Sequence, residues 1–304
     1  MSDVPTPPVN EQYERVLGSR LLALFGGAFL DQLVLDDVAA GVDWGGRFRE
    51  EPFARARRTL SAQDRIVPGT EESRRRTGEW LQRAHRDVKG TYDGVRFSAF
   101  QPEAWNWIAM SGIRVFVFAY PVFTGKDFQN DREIDDFYRY VLSKFRYLEL
   151  PSERNKLPRS WSEFDERYEE IIARRAKWTA ALERESGRVA NPPNPFKWLP
   201  NPLWSRISAP ISRAVLTASF GIMHPVARDL SAIEWTSTND RDFKRFRKVL
   251  PIVFRAIPRR FGSTALAYHA WKTRELTRRM ENQQLESFLP GNSKRQDHSP
   301  GCPI

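Results

Sequence analysis

Three side chains in the first third of the chain could do chemistry together. Arg55 and Thr59 are four residues apart, so on a helix they share one face and present a guanidinium beside a hydroxyl. His85 lies in a second helical segment. There Leu81, Ala84, His85 and Val88 follow the i, i+3, i+4, i+7 rule as one stripe, with Arg74, Arg75, Arg83 and Arg86 mostly elsewhere around the wheel. An imidazole on an apolar face is either a metal ligand or a core histidine satisfied by its neighbours. An Arg/Thr pair on another helix either supplies polar donors opposite that metal or lies on a solvated face. Read alone, the residue types leave both alternatives open.

The elements that must position these groups are marked by turn and cap residues. Gly41, Gly45 and Gly46 predict a loop into the helix of Arg55, and Pro52 suits its first turn. Pro68-Gly69-Thr70 is a turn, Thr70 or Ser73 caps the His85 helix, and Gly90 stops it. Asp93-Gly94 is a turn signal, and Pro102 begins a helix through Phe118. Helical periodicity covers residues 11–35, 131–148, 162–184, 203–223, 240–255 and 264–279, with Pro210 as a kink. Residues 191–202 contain five prolines and predict a linker or wrapping loop. Strand signals are few, so the fold class is all-α. The expected organisation is an N-terminal arm over residues 1–10, a single helical domain over 11–286, and a polar tail over 287–304.

Composition removes several function classes. The chain has 304 residues, 40% of them hydrophobic, enough for a substantial core. Its net charge is +10, but Lys and Arg are mostly interleaved with acids and no nucleic-acid-binding motif occurs, so no nucleic-acid partner is expected. The single cysteine, Cys302, precludes an intrachain disulfide and fits a reducing compartment. No signal-peptide pattern is present. No apolar run approaches the ~20 residues needed to cross a bilayer; the most apolar stretch, residues 21–35, includes Asp31 and Gln32. The expected location is cytoplasmic, with peripheral membrane association left open.

There is no nucleophile elbow, P-loop, dinucleotide fingerprint, His-Glu-x-x-His or Glu-x-x-His. Of the remaining histidines, His224 reads as helix-terminal or pocket-lining and His269 as a partly buried structural residue. His298 lies in the tail. Ten tryptophans and twenty phenylalanines would line a flat cofactor or an apolar tunnel, or simply pack a core.

Several segments together resemble the latex-clearing protein (rubber oxygenase) and MpaB-type haem oxygenase family. They are V-A-A-G-V (residues 38–42), R-A-R-R-T-L (55–60), A-H-R-D-V-K-G (84–90), F-S-A-F-Q-P-E-A-W-N-W-I (97–108), L-P-R-S-W-S-E-F (157–164) and P-V-A-R-D-L (225–230). The resemblance implies a globin-like helical domain that binds haem b, with His85 as the iron ligand and Arg55 and Thr59 on the distal side. It also places Arg58 at the cofactor and offers Arg228 as a partner for a haem propionate. Pairing of Arg228 with Asp229 or a helix end is the equal alternative. The implied activity is oxygenation of a small apolar organic substrate with dioxygen. A non-catalytic haem sensor or carrier, and a helical interaction protein without cofactor, are the other readings. Three departures stand out: Asp36-Asp37 replaces a His-Pro pair, Ala109 replaces a histidine, and Arg58 replaces the lysine of rubber-cleaving members.

Overall fold

Asn10 opens the fold: its side chain accepts from the Gln12 and Tyr13 amides and caps α1 (Glu11–Leu17). The structure is a computed structural model and describes residues 9–150, 156–196 and 198–281. The expected arm over residues 1–10 lies outside these except for 9 and 10, as does the whole tail over 287–304. Of the described residues 75% are helical, an all-α protein.

The helix expected over residues 11–35 is two elements. Gly18 ends α1, and Ser19 starts a 3₁₀ helix (Arg20–Val34). The tighter helix runs against α10 (Asn201–Ile222) at a close crossing: the Gly27 amide donates to Ser219 Oγ (2.9 Å), and Ser219 Oγ donates to the Leu24 carbonyl (2.9 Å). A Cβ on Gly27 would lie 2.9 Å from Ser219. Then come α2 (Asp36–Trp44), α3 (Arg47–Glu50), α4 (Pro52–Ile66) and α5 (Glu71–His85).

A two-stranded antiparallel hairpin follows, β1 (Lys89–Tyr92) and β2 (Val95–Ser98). Asp93 and Gly94 both have positive φ, as its two-residue turn demands. The hairpin packs on α2, where the buried Phe97 ring lies close enough to Gly41 that a Cβ there would sit 3.3 Å from it. That contact explains the glycine in V-A-A-G-V.

α6 (Pro102–Thr124) is the central helix. Pro102 takes a first-turn position, and Gly125, in the left-handed region, closes the helix by donating to the Pro121 carbonyl. By length and composition it could cross a membrane, although 83% of its apolar window is buried in the protein. This corrects the expectation that no apolar run approaches spanning length. The 3₁₀ helix, α7 (Asp131–Phe145), α10 and α12 (Ser237–Ala256) surround α6.

A short 3₁₀ turn (Arg146–Leu148) and α8 (Trp161–Arg175) follow. The helix expected over residues 162–184 breaks because the Lys177 amide donates to the Val34 carbonyl and Thr179 Oγ1 to the Leu33 carbonyl (2.7 Å). Thr179 then caps α9 (Ala180–Ala190). The remaining elements are α10 (Asn201–Ile222, with Pro210 inside), α11 (Pro225–Asp229), α12 (Ser237–Ala256), α13 (Arg259–Gly262) and α14 (Ala265–Glu281).

α5 is docked by its middle and its start. Gly78 is buried, and a Cβ there would come within 2.2 Å of the Tyr147 carbonyl oxygen. Glu71, in the first turn, takes Arg146 Nη2 at 2.9 Å and the Tyr147 hydroxyl. Gly78→Ala is therefore expected to push α5 off this seat and cost about 1–3 kcal/mol, the usual penalty of overpacking. Thermal unfolding followed by circular dichroism reads this directly. An unchanged midpoint would mean that the Tyr147 backbone yields freely.

Candidate functional site

α4 and α5 form a helical hairpin, and all three sequence-selected side chains ride on it. Thr70 Oγ1 accepts from the Ser73 amide and begins α5. Ser73 Oγ donates to the Arg65 carbonyl, Arg74 Nε donates to the Ile66 carbonyl (2.8 Å), and Arg65 lies over the Trp80 ring. These contacts fix the turn end of the hairpin. Arg55 is half-buried on α4, and Thr59 is exposed one turn later. Burial first, then the charges of Arg47 and Arg58, push the Arg55 guanidinium below its ordinary value. A concentration of cations of this kind favours an anion beside it. Arg58 is exposed and paired with Glu51 at 2.9 Å.

His85 ends α5. Its Nδ1 lies 2.7 Å from the Leu81 carbonyl oxygen, one turn back. A carbonyl can only accept, so the neutral ring carries its proton on Nδ1 and leaves the Nε2 lone pair available. The ring meets Trp105 edge-on at 5.7 Å between centroids. Trp105 is itself held, with Nε1–H on the Leu148 carbonyl (2.6 Å) and Phe100 stacked against it. The predicted stripe is only partly apolar in context: Leu81 and His85 are half-buried, Ala84 is exposed, and α5 ends before Val88. His85 thus sits at a helix end on a wall of Trp105, not within a continuous core face. Trp105 stands in the F-S-A-F-Q-P-E-A-W-N-W-I segment, but nothing local assigns it this role, because a contact across two helices has no local signal.

Arg228 stands on α11. Its Nη1 donates to the Phe220 carbonyl at the end of α10 (3.4 Å), and its guanidinium lies over Trp235 at 4.8 Å. The helix end anticipated as one alternative is among its neighbours. Its Nε is buried with no hydrogen-bond acceptor, a donor that an anion would satisfy.

His224 is buried and caps the start of α11, with Nδ1 accepting from the Val226 amide (3.2 Å) and Nε2 on Glu169 Oε1 (3.0 Å). Of the two alternatives the helix-terminal one describes its position, as the N-cap of α11. His269 is exposed beside Tyr268, not partly buried. His298 lies outside the described residues. Among the described residues no three His, Cys, Asp or Glu side chains gather to hold an ion.

A second buried polar centre was not anticipated. Asp31, in the 3₁₀ helix, meets Arg114 Nη1 of α6 at 3.5 Å and accepts from Tyr168 Oη of α8 (3.0 Å) and from the His224 amide (3.3 Å). Arg114 also donates to the Ile222 carbonyl (2.8 Å) and lies over Phe118. Burial pushes the Asp31 carboxyl up to about 6, against the opposing pull of Arg114. The available signal was a charge inside each of two apolar runs, since buried charges must find partners. The Asp36-Asp37 pair has a structural task as well, since Asp37 pairs with Arg175 at 2.9 Å and Asp36 with Lys177 at 2.6 Å.

Comparison with known proteins adds two findings. The profile described as ER-bound oxygenase mpaB/B'/rubber oxygenase, catalytic domain, matches residues 14–252. Uncharacterized proteins of Mycobacterium bovis and Mycobacterium tuberculosis are each 26% identical over 249 residues, which is 80% of this chain and 92% of theirs. No solved structure matches significantly.

The Asp31 geometry sets a pH dependence. The folded protein holds this proton more tightly than the unfolded chain, whose carboxyl titrates near about 3.9. The native state therefore binds more protons between about pH 4 and about pH 6, and this group's contribution to stability falls as pH rises through that window. Urea unfolding of the native chain and of Asp31→Asn across that window is expected to show the native chain losing ground relative to the variant. A stability difference that is flat with pH would show that burial does not hold the carboxyl protonated.

Proposed function

The chain belongs to the ER-bound oxygenase mpaB/B'/rubber oxygenase catalytic-domain family, and from that membership we propose that it is a haem b-dependent oxygenase using dioxygen on a small apolar organic substrate. The observation that supports a haem site is the His85 ring: Nδ1 engaged by the Leu81 carbonyl and Nε2 left as a lone pair, the arrangement that orients a metal-binding imidazole. Haem b, when bound, supplies an iron centre for dioxygen chemistry and four nitrogen ligands of its own, so a single protein imidazole suffices to hold it.

The chain's own residues divide the remaining work. His85 Nε2 would hold the iron, and the Trp105 wall would fix the ring plane. Arg55, crowded by Arg47 and Arg58, is a donor suited to negative charge developing on a reacting oxygen, and Thr59 shares its helix face as a second donor. Arg58 has no lone pair to offer a metal and is engaged by Glu51, so it contributes positive field rather than ligation. Arg228, with its unsatisfied Nε, suits a propionate.

The test is reconstitution with haem followed by visible absorption and oxygen consumption with an isoprenoid substrate. His85→Ala is expected to lose most bound haem. Thr59→Ala and Arg55→Ala are expected to keep haem and lose turnover by a factor on the order of 10²–10³, the cost of one preorganised donor. Full haem occupancy with an unchanged spectrum in His85→Ala would sink the assignment. Unimpaired turnover in both other variants would remove them from the active site.

A further inference from the structure

α12 has two faces, and only one is explained by the core. Phe243, Phe246, Leu250 and Phe254 point inward and pack against it. On the other side Arg245, Lys248, Val249, Ile252 and Arg255 follow i, i+3, i+4 spacing and are all exposed. Val249 is 55% and Ile252 65% exposed, and Val253 lies one step around the helix. After Pro258 the chain adds Arg259, Arg260 and Phe261, the last 62% exposed. Asp242 is the one acid between residues 241 and 261, and it is engaged by Arg213 at 2.6 Å. Lys244, Lys248 and Arg260 have no ion-pair partner among the described residues.

This face runs into a groove of about 460 Å³ where α12 meets α1 and the end of α6. Arg15, Lys126, Arg255 and Arg259 rim it, and the rings of Phe123 and Phe254 line it. Arg255 belongs to both the face and the groove. Arg15 and Arg255 donate to backbone carbonyls, Phe254 (2.9 Å) and Thr124 (3.1 Å), bonds that position their charge without neutralising it. Glu11 is the groove's acid, and it is shared between Arg278 (2.8 Å) and Arg259 (3.8 Å). Burial, and next the charge of Arg15, push the Arg259 guanidinium below its ordinary value, a strain that an anion in the groove would relieve.

We propose that the exposed face of α12 and the adjoining α13 dock this protein on an anionic lipid surface, with a headgroup phosphate seated in the Arg15–Lys126–Arg255–Arg259 groove. The argument is charge complementarity combined with exposed aliphatic groups. Cations flanking aliphatic side chains on one helix face match a surface that is anionic outside and hydrocarbon just beneath. Nucleic acid would use the cations and could stack on Phe261, but it would leave Val249 and Ile252 without a role, since it takes up stacking rings rather than aliphatic chains. The proposal is independent of iron at His85, and its test needs no activity.

The full chain is floated with vesicles of phosphatidylcholine alone and of phosphatidylcholine mixed with phosphatidylglycerol. The expected result is binding to the mixed vesicles only, weakening as salt is raised. Lys248→Ala is expected to weaken it roughly five-fold, the weight of one basic residue near such a surface. Ile252→Ser, also on the surface and so without a core to disturb, is expected to weaken it roughly ten-fold through lost insertion. Circular dichroism verifies that both variants remain folded. Free inorganic phosphate should compete poorly, because it brings no hydrocarbon. No binding to mixed vesicles, equal binding to both vesicle types, loss of binding to phosphate alone, or tighter binding of an oligonucleotide that Ile252→Ser leaves unchanged would each overturn the proposal.

Discussion

Arg114 cannot give up its charge, and α6 carries it into the middle of the protein. That one fact constrains much of the surrounding structure. The guanidinium needs a counter-charge, and Asp31 supplies it from the 3₁₀ helix. Asp31 in turn needs donors, which come from Tyr168 on α8 and from the His224 backbone between α10 and α11. Four segments distant in sequence thus meet at one carboxylate. Removing one partner from a buried pair of this kind typically costs about 3–5 kcal/mol, because the other charge is left stranded. The pair therefore ties the 3₁₀ helix, α8 and the α10–α11 junction to α6, whatever net stability it adds.

The α4–α5 hairpin lies outside this centre and is held differently. Its contacts are a close backbone approach at Gly78, the ties of Glu71 to Arg146 and Tyr147, and the ring of Trp105 against His85. Arg55 and Thr59 are consequently half-buried and exposed on a peripheral hairpin, while the heavily packed part of the molecule serves as its support. A scaffold built around one buried charge pair, carrying candidate chemistry on a less buried element, separates the demands of folding from those of the site. The departures from the family pattern follow the same division. Asp36 and Asp37 became ion-pair partners of Lys177 and Arg175, and Arg58 became a partner of Glu51.

Helix-forming periodicity, the Pro52 and Pro102 starts, the Thr70 cap and the Asp93-Gly94 turn were legible because each is a short-range preference of the backbone. The family and the all-α class were legible for a related reason: ordered motifs survive as strings of residues. The break at residues 176–179 was not, because it is made by hydrogen bonds to Leu33 and Val34. Nor was the division of residues 11–35 into α1 and a 3₁₀ helix, where Gly27 must pass against Ser219.

At the candidate site the same line can be drawn. The sequence by itself determined that an imidazole lies on one helix and that a guanidinium and a hydroxyl share a face of the one before it, since spacing on a helix sets direction; that α5 stops at His85 rather than at Gly90 came from the structure. Only the tertiary structure decided which nitrogen of His85 is engaged, that Trp105 and not a continuous apolar stripe backs the ring, and that His224 is a buried cap. It also decided that α12 turns Val249 and Ile252 outward among its cations. Each of these depends on which atoms from remote segments arrive within a few ångströms, and that is settled by tertiary packing, not by local propensity.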